Sequence, residues 1–438
     1  MVSWSEMPRS PGHVFYDRLQ SVLIEGGFDS FAEVTCKAYY AAKLGAPSVP
    51  PGRYFRMHLV GYFEGISSER GLEWRCSDSL SLREFLRLES LDRVPDHSWL
   101  SKTRSRLPHE VHAAIFDWVL ALIAKAGLVQ GDRIGVDAST MEANAALRNI
   151  VRRDTGEGYR EMLKHLAKES GIETPTAEDL IRLDRNRKGK KLSNQDWVSN
   201  SDPEAKIARM KDGTTHLAYK PEHAVDLDTG AVVAAELHPA DEGDTTTLGK
   251  TLAAAEASLK AVDLAPTVEN PAECVTDKGY HARAVLKDLD NSPWKTRISE
   301  PKQAAFSRWR DDEAARRAVT NNRVRLKSGV ARAAFKLRAE LVERSFAHNL
   351  DRGGMRRTWL RGRENVQKRY LLHVAGHNLS LLMRQLIGAG TPREAVAGRY
   401  GCFCVLIAPT GAVLIAQIVV IVSNEGDTVF STLWFAKG

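Results

Sequence analysis

The sequence predicts an α/β protein, a mixed sheet flanked by helices and preceded by an all-α segment. Three observations lead there. Apolar residues recur at helical spacing over residues 1–130. Beyond them, short β-type runs alternate with helical segments. Two of those runs stop on an aspartate: Arg133-Ile-Gly-Val136 on Asp137, and Glu273-Cys-Val-Thr276 on Asp277.

In the first part, Phe15 to Leu23, Phe31 to Ala42 and Tyr54 to Phe63 read as helices. Gly26-Gly27, Gly45 and Pro50-Pro51 separate them. Asp78-Ser-Leu-Ser81 caps a helix over Leu82 to Leu88, and Pro95-Asp-His-Ser98 caps Trp99 to Leu107. Pro108 then opens a longer helix through Ala126. Such a set suits a helix-turn-helix that enters a major groove, and suits a plain supporting or dimerisation domain equally well. The segment from Asn149 to Gln195 is polar and poor in large apolar residues, so it reads as an insertion, at about 149–200, of helix and loop. Leu217 to Leu237 follows as a hairpin turning at Asp228-Thr-Gly230. Thr245 to Ala261 is an Ala/Leu helix, His281 to Leu289 a second helix, and Trp294 to Ser299 a strand. Ala304 to Leu350 is mainly helix. The expected domains are 1–130 (helical), 131–390 (catalytic) and 391–438, an atypical apolar tail.

At 438 residues, with 43% hydrophobic and 27% charged residues, the chain is globular and long enough for two or three domains. A net charge of +7 favours a polyanionic partner, though mildly. Clustering sharpens it: Arg182 to Lys191 holds six basic residues, and Arg352 to Arg369 holds seven against Glu364 alone. The five cysteines (Cys36, Cys76, Cys274, Cys402, Cys404) form no CxxC pair and no zinc spacing, and an odd count argues against a disulfide scaffold. The N-terminus lacks a signal-peptide pattern, so the cytoplasm, at the nucleoid, is the expected compartment.

Cys402 to Val422 is almost entirely apolar and long enough to cross a bilayer. Pro409, Gly411 and Gln417 interrupt it, which favours two buried strands around a Pro409-Thr-Gly411 turn. An appended tail without stable packing fits the composition too.

A third carboxylate, Glu343, lies in the helical, Arg-rich stretch Val342-Glu-Arg-Ser-Phe346. If the strands bearing Asp137 and Asp277 are neighbours, a helix laid across their ends brings Glu343 to both. Three hard oxygen donors in a basic chain suggest divalent ions acting on phosphate. A lone Asp at a strand end is more often a turn or cap. The neighbours change that balance: Lys278-Gly-Tyr-His281 follows Asp277, while Arg344, Arg352, Arg356, Arg357 and Arg361 follow Glu343.

The ordered set of motifs resembles the DDE transposases of bacterial insertion sequences. It comprises Gly135-Val-Asp137-Ala-Ser-Thr140, Asp202-Pro-Glu-Ala205, Tyr219-Lys-x-x-His223-Ala-Val-Asp226 with Thr229-Gly230, and Asp277-Lys-Gly-Tyr280. It continues with Val342-Glu-Arg-Ser-Phe346, Gly354-Met-Arg-Arg357, Arg361-Gly362 and Asn378-Leu379. The resemblance spans roughly 131–386, and 78–107 is similar to the family's N-terminal helical domain. It implies an RNase H-like catalytic fold, a metal-binding triad of Asp137, Asp277 and Glu343, and the use of two Mg2+ (or Mn2+) ions. It further implies double-stranded DNA as partner, at element ends and target, and at least a homodimer. The expected reaction is strand cleavage by activated water, then attack of the freed 3′-hydroxyl on target DNA. Many relatives carry Tyr, Arg and Lys where this chain has Lys336, Ala339 and Leu350. Arg338, Arg344 and His348 are the expected substitutes at phosphate. Lys278, His281, Arg352, Arg356, Arg357 and Arg361 complete the expected DNA-contacting set.

Two other readings stay open: a transposase-derived regulator that binds DNA without cutting, and a metal-dependent nuclease unrelated to transposition. His223 is expected either as a satisfied structural histidine or as a DNA or metal contact. Trp359, amid arginines, is suited to stack on an unpaired base. Gly353-Gly354 lacks the context of a phosphate loop.

Overall fold

The computed structural model describes residues 12–40, 49–89, 91–187, 193–210, 213–301 and 312–397. Near the C-terminus it describes 405–407, 413–415, 417–422 and 428–433. The first part is helical: α1 (Val14–Glu25), α2 (Phe28–Cys36), α3 (Pro51–Glu64), α4 (Glu69–Asp78), α5 (Leu80–Phe85), α6 (His97–Arg106) and α7 (His109–Lys125). Pro51 opens α3, where its missing N–H costs nothing, and Gly65 closes it at φ 68°. The caps fall where the polar residues predict. The Ser68 hydroxyl accepts from Gly71, Ser79 from Leu82, and the Asp96 carboxylate from Trp99 at 2.7 Å.

The second part is built on β1 (Arg133–Ala138), β2 (Met141–Glu142), β3 (Ile150–Arg152), α8 (Tyr159–Glu169), α9 (Ala177–Asn186), β4 (Trp197–Ser199), β5 (Lys206–Arg209), β6 (Thr215–Asp226) and β7 (Val232–Pro239). It continues with α10 (Asp244–Lys260), β8 (Ala272–Thr276), α11 (Arg283–Asp290), β9 (Trp294–Ile298), α12 (Glu313–Leu326), α13 (Gly329–Phe346), α14 (Arg363–Ile387) and α15 (Pro392–Ala397). The main sheet runs β7–β6–β1–β8–β9. β6 is antiparallel to β1 and β7, while β8 and β9 are parallel to β1. This is the RNase H-like order. The expected insertion contains α8, α9 and the small β3–β4 pair.

The 131–390 segment is not set apart from the helical one. α14 packs against α3 and α7 on one side and β7 on the other. That position corrects the reading of one basic cluster. Lys368 and Arg369 are buried at 4% and 1% exposure, their donors reaching the carbonyls of Arg104 and Ile66. They serve helix packing, since α14 is surrounded.

The C-terminal stretch contains two antiparallel strand pairs, β10 (Val405–Ile407) with β11 (Val413–Ile415) and β12 (Gln417–Val422) with β13 (Thr428–Leu433). The expected turn at Pro409 to Gly411, Cys402, Cys404 and residues 188–191 of the first basic cluster lie outside the described residues. Among those described, no single helix is long and apolar enough to cross a membrane.

Candidate active site

Parallel pairing of Ile134 with Cys274 and Gly135 with Val275, continued two residues, sets Asp137 beside Asp277 at the strand ends. Gly135 lets side chains close in on β1: a Cβ there would lie 2.6 Å from Leu227 Cδ2 and 3.1 Å from Val342 Cγ2 of α13. Asp137 is partly exposed, at 28%, with Oδ1 accepting from the Ala138 N–H. Asp277 caps the single turn Lys278–Tyr280 through Gly279 N–H at 2.8 Å.

That turn is anchored from below. The Tyr280 hydroxyl donates to Glu222 Oε1 at 2.8 Å, and Glu222 lies on β6 opposite Ala138. Thr247 donates to the same oxygen; Thr251 donates to Oε2, with His238 at 3.5 Å. Burial alone would raise the Glu222 carboxyl, but hydrogen bonds from His238, Thr251 and Tyr280 hold it below its ordinary value. Gly279 allows close approach as well, since a Cβ would meet Asp244 Oδ2 at 2.6 Å. Asp244 is itself held by Lys220 at 2.9 Å.

Glu343 is exposed on α13, which packs against β1, β6 and β8. His223, paired with Asp137 in the β1–β6 register, fastens that helix. Its ring stacks on Phe346 at 4.2 Å, its Nδ1 is 2.8 Å from Ser345 Oγ, and its Nε2 is 2.7 Å from the Tyr370 hydroxyl. Ser345 already donates to the Val342 carbonyl, so it accepts from His223 Nδ1–H, and Tyr370 donates to Nε2. The imidazole is therefore neutral, and burial pushes its pKa down to about 3. Of the two expectations for His223, the structure gives the structural one.

Among the described residues no three His, Cys, Asp or Glu side chains converge tightly enough to hold one ion. The donor chemistry nonetheless fits magnesium, which keeps waters and takes one or two carboxylates per ion. Asp137 also already holds a cation, for Arg338 Nη2 lies 2.9 Å from its Oδ2.

The expected DNA-contacting residues divide. Lys278, Arg344, Arg352, Arg357 and Arg361 are exposed, and Arg356 is half-buried. Arg344 pairs with Glu340 one turn earlier. Arg356 grips Asp351 with two nitrogens and donates to Ser139 beyond β1. Arg357 approaches Glu142 at 3.7 Å and covers the exposed Trp359 ring at 5.2 Å. Arg361 donates to the Asn144 carbonyl. Three expectations need correction. The His281 side chain is only 7% exposed and faces Glu300 at 3.5 Å, so it does not present itself to DNA. Burial first, then Arg352 and Arg384, push His348 below the ordinary histidine value, so it offers little charge to a phosphate. Arg338 is turned inward onto Asp137.

Several residues of the recurring motifs prove to be supports. Asp226 accepts from Gln130 and Gly131 at the approach to β1 and from Asp228 and Thr229 in the hairpin turn. Asp202 accepts from Tyr219 and from Gly362 ahead of α14. The Asn378 amide pairs with both backbone groups of Val232. Glu222 was missed in the sequence. The one available signal was a carboxylate inside a strand whose neighbours are buried.

The candidate site is thus a mixed sheet with two aspartates on adjacent parallel strand ends. Comparison with family models narrows it: residues 5–106 match the family described as Transposase domain, and residues 172–379 match the Transposase DDE domain. In both of these segments the chain is similar to transposases, the second being of the DDE type. The second match contains Asp277 and Glu343, whereas Asp137 lies between the two matched segments and owes its place to the β1–β8 register. No curated protein and no solved structure matches the chain significantly.

Proposed function

We propose that this transposase cleaves DNA at the ends of an insertion sequence and joins the freed 3′-hydroxyl to target DNA. Asp137, Asp277 and Glu343 are the carboxylates that would hold Mg2+ or Mn2+. When bound, a pair of such ions supplies phosphate charge neutralisation and an activated oxygen nucleophile. The chain's own residues position the rest. The Glu222–Tyr280 bond fixes the turn after Asp277, and the His223–Ser345 bond fixes the helix of Glu343. Lys278, Arg344, Arg352, Arg356, Arg357 and Arg361 form the cationic rim for DNA phosphates. The observation that carries this reading is the register setting Asp137 beside Asp277 under α13.

The test is strand joining of a pre-cut element end in magnesium by a homodimer or larger assembly on DNA. Joined product supports the reading; binding without joining favours the regulator, and cutting without joining favours an unrelated nuclease. One observation speaks for the regulator: the carboxylate of Asp137 is already neutralised by Arg338.

A further inference from the structure

Arg338 is a charged residue at the candidate site that the proposed reaction does not use. It sits on α13, five positions before Glu343, and is 9% exposed. Its Nε–H donates to the Val136 carbonyl at 3.1 Å, which tethers the guanidinium to β1. Its Nη2 is 2.9 Å from Asp137 Oδ2, yet finds no hydrogen-bond acceptor at good angle among the described residues. The contact with Asp137 is thus Coulombic closeness without a directed bond. A buried guanidinium so placed neutralises the carboxylate but leaves N–H capacity unmet, which makes the pair easier to part than a bidentate one.

We propose that Arg338 is a resident counter-cation of Asp137, a latch that a divalent ion must displace in order to bind there. A guanidinium and a metal ion cannot share that carboxylate face without strong repulsion at such range. Metal loading and release of Arg338 are therefore one linked event, and by reciprocity whatever removes Arg338 tightens the metal. The latch keeps β1 and α13 joined while the chain is metal-free.

This rests on the reading of Asp137 as a metal ligand, and the test separates the two. Mn2+ binding to the full chain is measured by the loss of the free-ion EPR signal, for wild type, Asp137→Asn, Arg338→Gln and the double variant. The latch predicts that Arg338→Gln binds Mn2+ about tenfold tighter, the equivalent of about 1.4 kcal/mol. It also predicts that this gain vanishes in the Asp137→Asn background. Unchanged or weaker binding by Arg338→Gln overturns the latch alone. Wild-type binding that is indifferent to Asp137→Asn overturns the metal-ligand reading and the latch with it. Should Arg338→Gln fail to fold, phenylglyoxal modification of the wild type decides, with peptide mass spectrometry as readout. Saturating Mn2+ is expected to raise modification at Arg338 and leave exposed Arg344 as it was; no rise at Arg338 overturns the latch.

Discussion

The two sides of the Asp137 strand end differ in how completely their polar groups are satisfied. Behind it, Glu222 has donors on both oxygens and His223 has partners on both ring nitrogens, all in buried surroundings. In front, Arg338 Nη2, His281 Nε2 and Thr276 Oγ1 are buried without a hydrogen-bond partner among the described residues. Buried polar groups are normally paired, so the contrast is informative. The rear braces the strand end through Glu222 and His223, and the front is the face that carries the carboxylates. Sites keep their geometry when packed, hydrogen-bonded neighbours lock the side chains that act.

Variants on the two faces sharpen that contrast. The largest effect belongs to the front: Asp137→Asn should reduce end cleavage by at least about a thousandfold, as expected for loss of several kcal/mol of metal-assisted stabilisation. Gel-shift binding to element ends should persist; a variant that still cuts would remove Asp137 from the chemistry. On the rear, Glu222→Leu leaves Thr247, Thr251, Tyr280 and His238 without their acceptor. A loss of roughly 3 kcal/mol follows, read by denaturant unfolding. An unchanged midpoint would mean the buried network supports nothing.

The rear also predicts acid sensitivity. Burial pushes His223, His373 and His377 each down to about 3 from an ordinary 6.5. Their folded forms therefore refuse protons that the unfolded chain accepts below 6.5. Stability should be full near neutrality and decline progressively as pH falls from about 6.5 toward 3. Thermal melts near pH 7 and about pH 5 check the sign, and a higher Tm at the lower pH would contradict it. The smallest effect is at the rim. Arg344→Ala breaks only an exposed pair with Glu340, so stability should move by less than about 0.5 kcal/mol. Its DNA affinity should fall modestly with a shallower salt dependence, measured by fluorescence anisotropy.

Much of this was legible in the sequence because it depends on local signals. The aspartates ended β-type runs, Ser79 and Asp96 stood before helical periodicity, and Asp228-Thr-Gly230 marked the hairpin turn. What was not legible depended on tertiary neighbours. Nothing local to Lys368 and Arg369 says that α14 is packed on opposite sides, so their charge read as surface. The same limit applies to Arg338, His281 and His348, whose roles are set by Asp137, by Glu300 and by burial beside other cations. Glu222 was invisible because its four partners come from β7, α10 and the turn after β8.

The central claim concerns where a divalent ion meets this chain, and anomalous diffraction from crystals soaked in Mn2+ tests it most directly. The account predicts manganese peaks at the β1 and β8 strand ends, beside the Asp137 and Asp277 carboxylates. Manganese bound away from the β1 and β8 strand ends, with Asp137 and Asp277 bare, would contradict it.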